Sequence, residues 1–193
     1  MIVCVYGAAS SEIDKNIIDK VYSLGKTLAE KGHALIYGAG STGVMGAAAR
    51  GFKSGGAFVH GVIPKFFEEN DYEGIFYDAD KITYTETMAE RKQIMEDGCE
   101  AFIIAPGGIG TLEELFQVLT LKQLGRHKKA IALFNIDGFY DGLLDFLDTA
   151  IEKGFINEEV EDLFAVLETE EEIINYIENY SSANIKWHRL KKK

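Results

Sequence analysis

Short apolar runs alternate with amphipathic stretches along almost the whole chain. The runs are Ile2 to Tyr6, Ala34 to Tyr37, Ala57 to Ile63, Lys81 to Tyr84, Ala101 to Ala105, Ala130 to Phe134 and Leu163 to Leu167. Most are continuously apolar, as strands covered on both faces must be. Between them lie Ile13 to Lys31, a small-residue stretch ending near Ser54, Thr85 to Gly98, Leu112 to Leu124, Tyr140 to Lys153 and Thr169 to Tyr180. In the first of these, Ile17, Ile18, Val21, Leu24 and Leu28 recur at helical spacing and Gly32 stops the pattern. Such alternation predicts an α/β fold: one doubly wound parallel sheet flanked by helices on both faces. At 193 residues and 47% hydrophobic, the chain suffices for one such domain. Residues 1–180 are read as that domain and 181–193, ending in three lysines, as a polar tail.

Sheets of this kind bind ligands at the carboxyl ends of their strands. Glycine-rich segments follow the first, second and fifth runs, so all three are expected to meet in one crevice. The fullest is Ala105-Pro106-Gly107-Gly108-Ile109-Gly110-Thr111-Leu112-Glu113-Glu114. Backbone N–H groups at a strand-to-helix junction can face an anion when no side chain intervenes. The segment lacks the Gly-Lys-Ser/Thr of a P-loop and the Gly-x-Ser-x-Gly of a nucleophile elbow. What remains suits a monophosphate: N–H groups, the Thr111 hydroxyl and a positive helix end. The plainer alternative is a helix start that Thr111 caps and whose dipole Glu113 and Glu114 favour. Two carboxylates beside a phosphate cradle would repel the ligand, which suggests that chemistry occurs next to the phosphate.

Gly38, Gly40 and Gly43 form a G-x-G-x-x-G pattern, but after the second run rather than the first. The next run, around Val59-His60-Gly61-Val62, offers no acidic residue for a ribose, which counts against a dinucleotide. The segment reads either as a glycine-lined wall of a mononucleotide pocket or as a tight turn with close helix–strand packing. Arg91 and Lys92 precede the fifth run on the polar side of a helix. They are either a surface charge pair or, if that helix start faces the crevice, a phosphate clamp.

The formal net charge of −11 disfavours nucleic acid and anionic membranes as partners. Cys4 and Cys99 lie in or beside apolar segments without metal-ligand spacing, and the four histidines are scattered, so no metal site is expected. No signal segment or spanning run is read, and the expected location is cytoplasmic. Lys65 to Ala79 is acidic, aromatic and weakly periodic, and reads as a flap.

Two motifs together carry a resemblance. Glu90-Arg91-Lys92-x-x-Met95 followed by Pro106-Gly107-Gly108-x-Gly110-Thr111-x-x-Glu114 resembles the paired signature of the Lonely Guy (LOG) family. These are cytokinin riboside 5′-monophosphate phosphoribohydrolases, often labelled lysine decarboxylases. Gly43-Val44-Met45-Gly46 resembles the family's Gly-Leu-Met-Gly turn, and Gly7 with Ser10 its first-strand turn. The likeness spans roughly Met1 to Leu167.

It implies a Rossmann-like nucleotide-binding domain and a homodimer with active sites near the subunit interface. It also implies hydrolysis of the N-glycosidic bond of a nucleoside 5′-monophosphate to free base and ribose 5-phosphate. The catalytic pair falls on Arg91 and Glu114. The nucleotide-binding loop falls on Gly108, Ile109, Gly110, Thr111, Leu112 and Glu113, with Gly107, Lys92, Thr120, Gly40, Gly43 and Ser10 as further substrate contacts. Neither a metal nor an organic cofactor is implied. Gly7-Ala8-Ala9-Ser10 stands where the family has Gly-Ser-Ser, and Pro64 to Thr87 is longer and more acidic than in plant enzymes. The family's upstream substrate-binding glutamate is one of Glu68, Glu69 and Glu73. The competing class is a non-catalytic nucleotide or molybdenum-cofactor carrier of the same fold, from which Arg91 together with Glu114 is the distinguishing feature.

Overall fold

The computed structural model describes residues 1–69 and 74–185. Strands β1 (Ile2–Tyr6), β2 (Ala34–Tyr37), β3 (Val59–Pro64), β4 (Lys81–Thr85), β5 (Ala101–Ile104), β6 (Ala130–Phe134) and β7 (Ala165–Leu167) form one sheet. Its order is β4-β3-β2-β1-β5-β6-β7, and every neighbouring pair is parallel. The order reverses between β1 and β5, where Val5 lies opposite Ile103 and Tyr6 opposite Ile104. The helices are α1 (Lys15–Glu30), α2 (Gly43–Ser54), α3 (Lys65–Glu69), α4 (Met88–Gly98), α5 (Ile109–Gln123), α6 (Asp141–Glu152) and α7 (Glu170–Asn179).

Strand side chains alternate between faces, so β1 supplies two separate cores. Val3 and Val5 pack with Leu24 and Leu28 of α1, Phe52 of α2 and Ile173 of α7. Cys4 and Tyr6 pack on the opposite face with Met95 of α4 and with Leu115 and Val118 of α5. Both cysteines are buried and free, and burial, then Cys99, push the Cys4 thiol well above its ordinary range. A fully buried aliphatic side chain contributes about 1.5–3 kcal/mol, so these layers hold the sheet on both sides.

Local signals set the helix ends. The Asp14 carboxylate caps α1 through the Asn16 N–H at 2.7 Å. Thr87 caps α4 and Thr169 caps α7, each with a reciprocal glutamate, Glu90 and Glu172. Glu90 is therefore a capping residue. Gly32, with φ +86°, follows α1.

Several boundaries differ from the sequence reading. α5 begins at Ile109 because Gly108 is its N-cap, so Ile109, Gly110 and Thr111 already form its first turn. β7 is shorter because Glu158–Leu163 closes into a 3₁₀ turn. In the acidic 65–79 segment, Lys65 to Glu69 is helical. Farther on, Ser41 N–H donates to the Gly74 carbonyl at 2.8 Å, and Phe76 N–H to the Ala39 carbonyl at 2.9 Å. The part of the expected flap from 74 onward is thus pinned to the turn after β2; residues 70–73, with Glu73, lie outside the described residues. Of the expected tail, Ser182–Asn184 forms a 3₁₀ turn and Ile185 is buried, while 186–193 lie outside the described residues. No helix among the described residues is long and apolar enough to cross a membrane.

Candidate active site

The turns after β1, β2 and β5 meet at the carboxyl edge of the sheet. Ala8 N–H donates to the Pro106 carbonyl at 3.2 Å, and Met45 N–H to the Ala8 carbonyl at 3.1 Å. The Thr42 hydroxyl donates to the Ala9 carbonyl. Gly43 has φ +58°, and a Cβ there would stand 2.6 Å from the Ala8 and Ser10 carbonyl oxygens. Only glycine serves both the left-handed turn and that approach. Ser10 itself is exposed, and its hydroxyl accepts from the Glu12 N–H at 3.3 Å. Gly40 is buried and bridged to Ile75, so its backbone is occupied by residue 75 as well as facing the crevice.

Two helices start at this edge without a capping side chain. Thr42 precedes α2 and Gly108 precedes α5, and neither side chain caps its helix. The alternative in which Thr111 caps α5 is therefore set aside; Thr111 lies inside the first turn. It is only 4% exposed, packed against Gly107, where a Cβ would stand 2.1 Å from its Oγ1. Gly108, Ile109 and Gly110 are exposed, so the loop presents N–H groups outward. The Tyr140 hydroxyl holds the strand end beneath it by donating to the Ala105 carbonyl at 2.7 Å.

Arg91 is not a surface charge. It is 6% exposed, and its Nε donates to the Val62 carbonyl and its Nη2 to the Gly38 carbonyl, each at 3.2 Å. The ring of Phe67 lies 5.7 Å from the guanidinium carbon. Among the described residues Arg91 is in no ion pair. Two carbonyls occupy two of its five N–H donors. Its Nη1 also faces the Met88 Sδ at 3.7 Å; a buried cation held by neutral acceptors retains most of its field for an incoming anion.

Lys92, next to it, pairs with Glu113 of α5 and ties the two helices together. A second tie joins the Gln117 amide to the Glu96 carboxylate, which burial holds above its ordinary range. Glu114 is half-buried on the inner side of α5, where its charge acts on Tyr6 and Cys4. Glu113 and Glu114 therefore face different ways, one to a lysine and the other toward the end of β1. Leu112 is half-buried above the second core.

Thr120 is exposed, about 13 Å along the α5 axis from Thr111 at 1.5 Å per residue. It does not join the loop. Glu68 accepts from the Tyr77 hydroxyl at 2.9 Å. Gly38, read in the sequence as part of a glycine-lined wall or a tight turn, lies at this edge under Arg91, and Thr42 joins it through the Ala9 carbonyl. Both act through contacts with distant residues, which no local pattern marks.

A doubly wound parallel sheet with converging glycine turns at its switch point makes this a Rossmann-like α/β protein. The chain belongs to the family described as "Possible lysine decarboxylase", whose model matches residues 45–177. It is 40% identical over 178 residues to the cytokinin riboside 5′-monophosphate phosphoribohydrolase LOG of Oryza sativa subsp. japonica, covering 92% of this chain and 73% of that one. An Arabidopsis thaliana cytokinin riboside 5′-monophosphate phosphoribohydrolase is 36% identical over 179 residues, covering 93% and 82%. In structure the chain is similar to the molybdenum cofactor carrier protein of Chlamydomonas reinhardtii. The TM-score is 0.69 at 22% identity, covering 92% of this chain and 95% of that one. That likeness establishes the shared fold.

Proposed function

We propose that the chain is a nucleoside 5′-monophosphate phosphoribohydrolase, cleaving the N-glycosidic bond of AMP or a cytokinin riboside 5′-monophosphate. What carries this reading is a buried Arg91 cation seated beside Gly38 at the end of β2, together with a half-buried Glu114 in the helix that follows the glycine loop after β5. Relatives named as phosphoribohydrolases support it over most of their length.

The 5′-phosphate sits on the N–H groups of Gly108, Ile109 and Gly110, with Gly107 and Thr111 shaping the loop and Leu112 backing it. Binding that remote group fixes the ribose beside Glu114. N-glycoside hydrolysis passes through an oxocarbenium-like state. The Glu114 carboxylate stabilises the developing cation and takes a proton from the attacking water. That water adds to the anomeric carbon as the base departs with the bonding electron pair. Arg91 attracts the phosphate from the β2–β3 side, and Lys92 is held in place by Glu113.

Ile109 is 84%, Phe116 37% and Leu124 59% exposed on α5. Together with Glu113 and Thr120 they follow at three- and four-residue steps along one face. A fully buried helix does not explain that stripe. We assign it to a homodimer interface, across which Thr120 reaches the partner's nucleotide. The test of function is incubation with a panel of nucleoside monophosphates and chromatography of released bases. Free base together with ribose 5-phosphate supports the reading; intact nucleotide throughout favours a carrier.

A further inference from the structure

Tyr140 stands at the N-cap of α6, yet its side chain does not cap that helix. Caps favour short polar residues, so a tyrosine there serves something other than α6. The residue is 2% exposed, and its hydroxyl donates to the Ala105 carbonyl at 2.7 Å. Burial pushes the phenol up, and a hydrogen bond from the Gly107 backbone opposes that. One oxygen thus meets the peptide groups on both sides of Pro106, where the chain leaves β5 for the glycine loop.

A braced loop between β6 and α6 holds that hydroxyl. The Asn135 side-chain carbonyl accepts from the Tyr140 N–H at 2.7 Å, and the Asn135 amide donates to Asp141 at 2.8 Å. Asn135 is itself buried. Phe139 meets the Tyr140 ring edge-on, with centroids 4.9 Å apart. Asp137 takes a left-handed conformation, φ +53°, which a residue other than glycine adopts at a cost. Its carboxylate accepts from Asn16 at 2.6 Å and from Lys20 at 2.7 Å, which fastens the loop to α1. Strain kept in place by two side-chain ties marks a loop whose position matters.

We propose that Tyr140 is a positioning residue for the phosphate: its hydroxyl fixes the two peptides flanking Pro106, so that the N–H groups of Gly108, Ile109 and Gly110 converge on one anion. This rests on the reading of that loop as the 5′-phosphate cradle. N–H groups aimed in advance need no ordering when the anion arrives, and the saving shows as affinity. Without the hydroxyl the Ala105 carbonyl loses a buried partner, and the turn relaxes to find another. The ties from Asp137 to α1 hold the β6–α6 loop, and with it the hydroxyl, in place.

Tyr140→Phe keeps the ring and its contact with Phe139 and removes only the hydroxyl. Thermal melting checks its fold, and calorimetry then measures ribose 5-phosphate binding without relying on turnover. Affinity is expected to fall about tenfold, as for one lost hydrogen bond. With AMP, KM should rise by the same factor while kcat stays within about twofold. Asp137→Gly accepts the left-handed backbone and releases α1, so it is expected to weaken ribose 5-phosphate binding with the fold kept. Wild-type affinity in Tyr140→Phe, or in Asp137→Gly should Tyr140→Phe not fold, would overturn the proposal whatever happens to melting. Weakened binding in variants of a protein that hydrolyses no nucleotide would uphold the positioning role and refute the hydrolase reading.

Discussion

The Arg91 guanidinium occupies the space that a side chain on residue 38 would need: Nη2 lies 1.8 Å from the position of a Cβ at Gly38. The same nitrogen donates to the Gly38 carbonyl. A glycine just after β2 is thus the seat of a cation from α4. Gly38→Ala is expected to push the guanidinium out, cost about 1–3 kcal/mol as overpacking does, and depress turnover of AMP by at least tenfold. Thermal melting and initial rates on one preparation check both. Unchanged turnover would mean that Arg91 does not act from this seat.

Thr111 is pressed against Gly107 with its hydroxyl buried. Thr111→Val preserves shape and removes the hydroxyl. If that hydroxyl helps hold the phosphate, KM for AMP rises about tenfold, the equivalent of roughly 1.4 kcal/mol. If it serves packing alone, KM holds and only melting changes.

Phe116 lies mid-stripe on α5. Phe116→Glu is expected to convert a dimer to monomers in sedimentation velocity and to weaken nucleotide binding through loss of the partner's Thr120. A wild-type monomer would remove the interface from the account.

Lys122 is fully buried on α5, donating to the Leu163 carbonyl and lying 4.7 Å from the Tyr180 ring centre. Burial pushes its pKa down to about 7. An unfolded lysine holds its proton to about pH 10.4. Between those values the unfolded chain binds more protons, so this group makes stability rise with pH over roughly 7 to 10. Below that window both states are charged and its contribution is flat and least favourable. Lys122→Met should therefore stabilise the protein most at pH 6–7, by about 1–3 kcal/mol, with the advantage shrinking by pH 9. Urea unfolding at the two pH values measures it; an equal gain at both would show that Lys122 is charged in the folded state throughout.

Much of the fold was legible because buried parallel strands must be continuously apolar. β1, β2 and β6 fall on the expected residues. The convergence of three glycine turns followed from parallel topology alone. What could not be read was direction. Arg91 and Lys92 are adjacent and alike in charge, yet one is buried on carbonyls and the other bridges to Glu113. Glu113 and Glu114 divide in the same manner. Helical geometry turns neighbouring residues by about 100°, and which one faces inward depends on how α4 and α5 seat on the sheet. The start of α5 was misplaced because glycines in its first turn look like loop. The 74–76 pairing was missed because one bridge leaves no periodic trace.

Glu114 is proposed to serve the chemistry while the loop before it binds the phosphate. Glu114→Gln keeps the size of the side chain and removes its charge. Release of adenine from AMP by this variant, followed by chromatography alongside AMP affinity by calorimetry, tests the claim most directly. Release is expected to fall by at least a thousandfold, about 4 kcal/mol of transition-state stabilisation, while AMP binds within a few-fold of wild type. Wild-type turnover by Glu114→Gln would contradict it.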